Sequence, residues 1–100
     1  MYVILWEYSV AEDRRAAFLE LYGPRGEWER LFRGHEGWMR SELLRDDGTP
    51  GRYVSVDRWS SRELYERFLE RSKADFERID QLGRALTDRE EQLGRFETTS

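Results

Sequence analysis

A strand that turns directly into a helix, over residues 52–68, most constrains the fold of this chain. The first part, RYVSVDRW, is rich in β-branched and aromatic residues, which suit a pleated strand. In the following ELYERF the apolar residues recur at helical spacing. Ser60 and Glu63 form an S-x-x-E capping box, which predicts the start of the helix. We therefore expect Trp59 at the end of the strand, where the helix folds back over a sheet.

The first part of the chain predicts another strand followed by a helix. Residues 2–8 read as a strand that is apolar on both faces over most of its length, which is typical of a strand covered on both sides. Ser9 and Glu12 form a second S-x-x-E pattern and predict that a helix begins there. Gly23 and Pro24 interrupt this helix, because proline lacks a backbone donor and its ring displaces the preceding turn. Helical spacing then resumes.

The complete order of predicted elements is strand, helix, strand, strand, helix, strand. The later elements are a strand over 38–45, a hairpin loop over 46–51, a long helix with possible bends at Ser72 and Gly83, a break at Thr87-Asp88, and a strand over 92–97. This order predicts an α+β, ferredoxin-like fold, with an antiparallel sheet and both helices on one face. We expect one domain over 1–97 and a disordered tail over 98–100. The bare second face of the sheet predicts a two-fold contact with a second copy.

Composition excludes several kinds of function. The net charge is −4 and the two signs are interleaved, without the basic stripe that nucleic-acid binding requires. Cysteine is absent, which excludes disulfides and thiolate chemistry, and the single histidine excludes multi-histidine metal sites. No segment approaches the ~20 apolar residues of a membrane span, and the start lacks the pattern of a signal peptide. We expect a soluble, cytoplasmic protein.

Three segments carry a family resemblance that covers nearly the whole chain. They resemble the antibiotic biosynthesis monooxygenase family, the last two matching one branch of it: Gly51 to Ser61 followed by Tyr65 and Phe68; Tyr22-Gly23-Pro24…Trp28…Leu31-Phe32…Gly37; and Leu86-Thr87…Glu90…Gly94-Arg95-Phe96-Glu97. The resemblance implies a homodimeric α+β barrel with a ligand cleft between the helices and the sheet of each subunit. It also implies chemistry without metal, flavin or other cofactor, in which a deprotonated aromatic substrate reacts with dioxygen.

Haem-degrading relatives form another branch of the same superfamily. They use an asparagine on the first strand, a tryptophan at the end of the third, and an iron-binding histidine on the second helix. Here Trp59 matches the tryptophan, but the chain contains no asparagine and no histidine after position 35. The sequence therefore does not fit that branch.

The resemblance and the abundance of rings together predict an aromatic-lined cleft for a planar ligand. Arg40 is a candidate partner for an anionic group of the ligand, and the predicted lining rings are Trp28, Phe32, Trp38, Tyr53, Trp59, Tyr65 and Phe68. The alternative is that these rings are core, with Trp59 as a wedge between helix and sheet.

Two residues are candidates for a general base. His35 is the only side chain of a type that titrates near neutrality, and Asp57 would serve if burial raised its pKa. The alternatives are a histidine in a loop without a role, and ion pairing of the strand charges across strands or subunits. A shift of one residue in register would reverse the face that each strand charge occupies, so the sequence leaves the face open.

The sequence leads to two functional hypotheses. The first is a homodimeric, monooxygenase-like protein that acts on or binds a small hydrophobic aromatic compound of the polyketide or quinol type. The second is a non-catalytic module that binds small molecules or serves as a structural dimer, because acid–base groups are scarce. An open aromatic pocket with a titratable group favours the first, and a fully packed junction of helices and sheet favours the second.

Overall fold

Helices cover one face of a four-stranded antiparallel sheet in the computed structural model, which describes residues 1–99. The elements are β1 (Tyr2–Ser9), a short 3-10 turn (Glu12–Arg14), α1 (Arg15–Tyr22), α2 (Glu27–Arg33), β2 (Trp38–Arg45), β3 (Arg52–Trp59), α3 (Arg62–Arg71), α4 (Lys73–Leu86) and β4 (Arg89–Glu97). The strands lie in the order β2-β3-β1-β4. The predicted α+β, ferredoxin-like fold is thus confirmed.

The chain ends and the helices add two smaller observations. The Thr98 backbone N–H donates to the Met1 carbonyl at 3.0 Å, so the start and the end of the chain lie side by side. Ser100, the last residue of the predicted tail, lies outside the described residues. Every helix within residues 1–99 is too short or too polar to cross a bilayer.

Both predicted capping boxes were wrong in detail. Ser9 is the last residue of β1, and the chain passes through the 3-10 turn before α1 begins without a side-chain cap. At α3 the cap is Ser61, one residue later than predicted, and its hydroxyl accepts from the Leu64 N–H at 3.2 Å. Ser60 still belongs to the exit from the sheet, because its N–H donates to the Gly37 carbonyl at 2.7 Å. A backbone bond thus moves the start of the helix.

The predicted breaks between elements are confirmed more closely. α1 ends at Tyr22, before Gly23-Pro24, and α2 resumes at Glu27. The long final helix divides at Ser72 into α3 and α4, whereas Gly83 stays inside α4. The last strand begins at Arg89, three residues earlier than predicted, because charged residues extend the pairing of β4 with β1.

Strand register decides which side chains face the helices. Ile4 pairs with Asp57 and Trp6 pairs with Ser55 across β1 and β3. Ile4 is fully buried beneath the helices, so Asp57 on the same row points toward the helices as well. Its neighbour Arg58 therefore points to the other side, which we call the outer face.

The outer face carries ion pairs and exposed apolar side chains. Arg58 Nε lies 3.2 Å from Glu42 Oε1, and Arg40 Nη2 lies 3.7 Å from the same oxygen. Both arginines therefore pair with Glu42 on this face, Arg58 across strands and Arg40 along β2. Leu44 and Phe96 also lie on this face and are 49% and 47% exposed.

The driest part of the core lies around Trp59. This Trp59 cluster, defined by the side chains that are at most 1% exposed in one contiguous group, contains Ile4, Trp59, Phe68 and Ile79. The Trp59 and Phe68 rings lie 4.8 Å apart between centroids, and Phe32 meets Trp59 edge-on at 5.8 Å. Trp59 thus packs α3 and α2 against the end of β3.

Candidate ligand site

A narrow cavity lies between the sheet and the helices, beside the Trp59 cluster. Its lining includes the rings of Trp6, Tyr8, Tyr22, Trp28, Phe32, Tyr65 and Phe76 and the polar residues Glu29, Ser41, Ser55, Asp57, Asp80 and Glu90. The volume of the cavity is about 40 Å³. A water needs roughly 10–15 Å³ on this measure, so the cavity holds a few waters and is tight for a larger molecule.

Asp57 places a carboxyl group on the sheet floor of this cavity. Burial raises its pKa to about 6, and the nearby Ser41 hydroxyl lowers it by a smaller amount. Among residues 1–99, no arginine or lysine forms an ion pair with Asp57. A carboxylate without a cation, held against aromatic rings, is a stronger base than one in water.

A second acidic group lies where β4 meets α4. Burial and the neighbouring Asp80 carboxyl raise the pKa of Glu90 to about 7, while Arg84 acts in the opposite direction. Arg84 Nε binds Asp80 Oδ2 at 2.9 Å, so the arginine neutralises Asp80 first. Glu90 Oε2 is buried and has no hydrogen-bond partner in the described chain. It is therefore an unused acceptor inside the cavity.

Two tyrosines of the lining differ in whether their hydroxyl groups have hydrogen-bond partners. The Tyr8 hydroxyl is bonded to Ser55 Oγ at 3.0 Å, so its polar atom is satisfied. The Tyr22 hydroxyl is buried and, like Trp28 Nε1, has no partner of hydrogen-bond geometry within residues 1–99. Burial raises the pKa of Tyr22, and the negative charge of Glu90 raises it further. Both orphan atoms belong to side chains that line the cavity.

A cleft on the surface adjoins the cavity at the start of β4. Trp6 and Glu90 line both spaces, and the cleft continues past Arg84, Thr87, Asp88 and Arg89. Trp6 and Glu90 thus lie where the cavity and the cleft adjoin.

The structure brings together some of the residues predicted for the site. Trp28, Phe32, Tyr65 and Asp57 line the cavity. The others do not line it: Trp38, Tyr53, Trp59, Phe68 and Arg40. Trp59 and Phe68 are in the Trp59 cluster, Tyr53 contacts Phe18 in a separate part of the core, and Arg40 lies on the outer face.

His35 lies in the turn between α2 and β2, away from the cavity lining. Its Nε2 is 2.9 Å from the hydroxyl of Ser72, and its ring meets Phe68 edge-on at 4.9 Å. Ser72 is the residue at which α3 ends and α4 begins. The histidine therefore ties this junction to the turn, and its role as a base stays a prediction.

Sequence reasoning missed several residues of the cavity, above all Trp6, Tyr22, Asp80 and Glu90. Trp6 had a detectable signal, because it alternates with Ile4 and Tyr8 on one face of the first predicted strand. Glu90 had no signal from strand periodicity, because the predicted strand began after it, and it appeared only in the third segment of the family resemblance. The meeting of Asp80 with Glu90 depends on how α4 packs beside β4, which no local pattern encodes.

No three acidic, histidine or cysteine side chains among residues 1–99 gather to hold a metal ion.

Comparison with known proteins identifies the family of this chain. The sequence profile of the antibiotic biosynthesis monooxygenases matches residues 1–75, whereas no curated protein sequence matches. A single-residue variant of SnoaB, a cofactor-independent oxygenase from Streptomyces nogalater, is 22% identical with a TM-score of 0.76, covering 99% of this chain and 93% of that one.

Two further solved structures share the fold over the whole of this chain. A protein from Nitrosomonas europaea, provisionally classed as an antibiotic biosynthesis monooxygenase, is 22% identical with a TM-score of 0.77 and is covered in full. One from Deinococcus radiodurans with the same provisional class is 13% identical, with a TM-score of 0.78 and 94% of that chain covered. Identities this low establish the fold alone. The profile match over three quarters of the sequence shows that the chain belongs to the antibiotic biosynthesis monooxygenase family.

Proposed function

We propose that this protein binds a small planar aromatic compound in the cavity beneath its helices and oxygenates it without a cofactor. One observation carries the proposal: Asp57 presents a carboxyl group without a cation to a cavity walled by aromatic rings. Family membership supports the same kind of activity. SnoaB, a structural neighbour, is a cofactor-independent oxygenase.

The chemistry that fits this arrangement starts with a proton transfer. Asp57 takes a proton from an activated CH₂ group of the substrate, as in an anthrone, and leaves a carbanion stabilised by the ring system. The carbanion gives electrons to dioxygen, and the resulting hydroperoxide loses water to form a carbonyl group. One dioxygen is thereby reduced, with one oxygen atom entering the product and one leaving as water. The protein supplies the base and a site that positions the substrate.

Asp57 is a better candidate for the base than His35. Asp57 lines the cavity, and with its pKa near 6 most of it is ionised at neutral pH. His35 lies outside the lining, and its Nε2 is engaged with Ser72 at 2.9 Å. We therefore propose Asp57 as the base, and for His35 a structural contact with Ser72.

A second candidate function is a binding module without chemistry. The cavity leaves only about 40 Å³ for the centres of water-sized molecules. Ligand sites are usually clefts of ≈ 300–1,000 Å³, so rings of the lining must move before a substrate can enter. A protein that only sequesters an aromatic compound needs the same movement but no base.

We further propose that two copies associate through the outer faces of their sheets. Leu44 and Phe96 are about half exposed there, and Val3, Leu5 and Val54 share the face. Burying such a face against its own copy removes apolar surface from water. Sedimentation at micromolar concentration should give a dimer that Leu44→Glu converts to a monomer. Monomer throughout would remove this proposal.

Oxygen consumption tests the proposed reaction. Anthrone, mixed with the protein in air-saturated buffer, should be converted to anthraquinone with uptake of one dioxygen per molecule. Asp57→Asn should lower kcat/KM by about 10²-fold or more, since a positioned base typically contributes 10²–10⁴. The wild-type rate should rise with pH through about 6, as Asp57 ionises.

The His35→Ala variant is the matched control for that assay. It should keep most of the activity, because the imidazole does not line the cavity. Full activity in Asp57→Asn with loss in His35→Ala would exchange the two roles. Saturable binding of anthrone without oxygen uptake would favour the binding module.

A further inference from the structure

Four buried side-chain polar atoms within residues 1–99 lack hydrogen-bond partners, and three of them belong to residues that line the cavity, whereas the fourth, Trp59 Nε1, does not. Two of the three are donors, Trp28 Nε1–H and the Tyr22 hydroxyl, and one is an acceptor, Glu90 Oε2. Trp28 is only 8% exposed, so water outside the protein does not compensate its N–H. A buried polar group without a partner costs free energy, and nearly all such groups in folded proteins are paired. These three atoms therefore call for a ligand or water of matching chemistry.

The three side chains neighbour one another in the lining. The rings of Tyr22 and Trp28 lie 6.2 Å apart between centroids. The charge of Glu90 raises the pKa of Tyr22, and the indole of Trp28 approaches the same hydroxyl without making a hydrogen bond of good geometry. Gly83 in α4 lets this wall close, because a Cβ there would come within 2.2 Å of the Tyr22 oxygen.

A phenolic hydroxyl matches this set of atoms. Its proton is donated to an acceptor, and its oxygen accepts two hydrogen bonds. We propose that Glu90, Tyr22 and Trp28 form a recognition site for a phenolic hydroxyl of the aromatic ligand, with Glu90 accepting its proton and the other two donating to its oxygen. This inference rests on the proposed function only in that the cavity is the ligand site. It adds the functional group that the ligand carries and the end of the cavity at which that group binds.

The surroundings of Glu90 and Asp57 are consistent with a ligand hydroxyl that binds at the Glu90 end of the cavity. Arg84 binds Asp80 at 2.9 Å and makes no ion pair with Glu90, so Glu90 keeps one oxygen for the ligand. Asp57 lies on the row of Ile4, two rows from the row of Tyr8 on which Glu90 lies. A ligand hydroxyl at Glu90 therefore leaves Asp57 free to act on a more distant part of the same ring system.

The affinities of three matched probes test the inference. The probes are 2-naphthol, 2-methoxynaphthalene, which accepts but cannot donate a hydrogen bond, and naphthalene. Binding is followed anaerobically by quenching of tryptophan fluorescence, so that no oxygenation interferes. We expect 2-naphthol to bind about tenfold more tightly than naphthalene, as one or two net hydrogen bonds provide. The methoxy compound can accept from Tyr22 and Trp28 but cannot donate to Glu90, so its affinity should lie between those of the other two probes.

Two tyrosine variants provide the matched comparison. Tyr22→Phe removes an orphan hydroxyl and should reduce the preference for 2-naphthol to about threefold, without loss of stability. Tyr8→Phe removes a hydroxyl that is already bonded to Ser55, so it should cost stability and leave the preference unchanged. Glu90→Gln should weaken 2-naphthol selectively, because the neutral amide is a weaker acceptor than a carboxylate.

The outcomes separate this inference from the proposed reaction. Equal binding of 2-naphthol and naphthalene, or a preference unaffected by both Tyr22→Phe and Glu90→Gln, would overturn the phenol site even if anthrone is oxidised. A normal preference without any oxygen uptake would support the phenol site and remove the reaction. Failure of all three probes to bind would overturn both.

Discussion

The Trp59 cluster and the polar cavity lie side by side on one face of one sheet, yet they differ in the number and kind of polar groups that they hold. Trp59 is fully buried and surrounded by rings at van der Waals distance. The cavity beside it is lined by Asp57, Glu90 and Tyr22, whose hydroxyl is unpaired. Packed interiors hold few such groups because unpaired polarity is costly there, and within residues 1–99 the Trp59 cluster has a single one, the indole N–H of Trp59. Ring content therefore locates the core, and polarity within it locates the site.

The largest expected effect on stability comes from a substitution in the Trp59 cluster. Trp59→Ala should reduce the free energy of unfolding by about 3–5 kcal/mol, because it removes a large buried ring and leaves a cavity. Urea denaturation followed by circular dichroism measures it. Trp38→Ala, which removes a partly buried tryptophan, should cost clearly less. Similar losses for both would mean that Trp59 is not the packing centre.

A substitution at Asp57 should increase the free energy of unfolding, whereas Trp59→Ala should decrease it. The native pKa is about 6 against 3.8 for an ordinary aspartate, so the folded state holds its proton longer than the unfolded state. This contribution to stability is therefore lost as pH rises from about 4 to about 6 and stays lost above that. Asp57→Asn removes the charge and should stabilise the fold by about 1–3 kcal/mol at pH 8, with little effect at pH 4.

Urea denaturation of both proteins at the two pH values measures this difference. The exposed Asp47 in the hairpin loop provides the control, and Asp47→Asn should change stability by less than about 0.5 kcal/mol at either pH. A destabilised Asp57→Asn at pH 8 would contradict the account, because it would mean that other groups of the folded protein stabilise the ionised Asp57 carboxylate.

The wall of the cavity is tested by a smaller change. Gly83→Ala places a Cβ 2.2 Å from the Tyr22 hydroxyl, and moving that ring away disturbs its stacking on Phe18, where the centroids lie 4.5 Å apart. Such overpacking should outweigh the ~1 kcal/mol gain in helix propensity and cost about 1–2 kcal/mol in urea denaturation. Gly34→Ala is the control, because the nearest atom there is 3.8 Å away.

A second substitution sharpens the test at Gly83. Removing the clashing hydroxyl with Tyr22→Phe should recover part of the loss caused by Gly83→Ala, so the two changes should not be additive. Simple additivity would mean that the clash is relieved by movement of α4 instead.

The smallest expected effect concerns His35. His35→Ala leaves the Ser72 hydroxyl, which is 3% exposed, without its partner at 2.9 Å. We expect a loss of about 1 kcal/mol in the free energy of unfolding, as for one buried hydrogen bond. Glu36→Ala, at the exposed neighbour, should be neutral. A neutral His35→Ala would leave the histidine without a structural role and return it to the candidates for a base.

How far the sequence could predict the molecule follows from the same contrast. The strand-to-helix change near Trp59 and the break at Gly23-Pro24 are local patterns, and both predicted the fold correctly. The face that Asp57 occupies depends on register, which a shift of one residue reverses. The meeting of Asp80 with Glu90 joins two elements through tertiary packing. Local patterns therefore predict the dry core better than the polar site.

Indole N–H signals report most directly on whether the ligand enters the polar cavity. The four tryptophans give separate side-chain resonances in a ¹H–¹⁵N spectrum of labelled protein, assigned with single Trp→Phe variants. On titration with 2-naphthol, the signals of Trp6 and Trp28 should shift saturably, because both side chains line the cavity, while Trp59 should stay in place. A saturable shift of Trp59 with Trp6 and Trp28 unchanged would contradict the account.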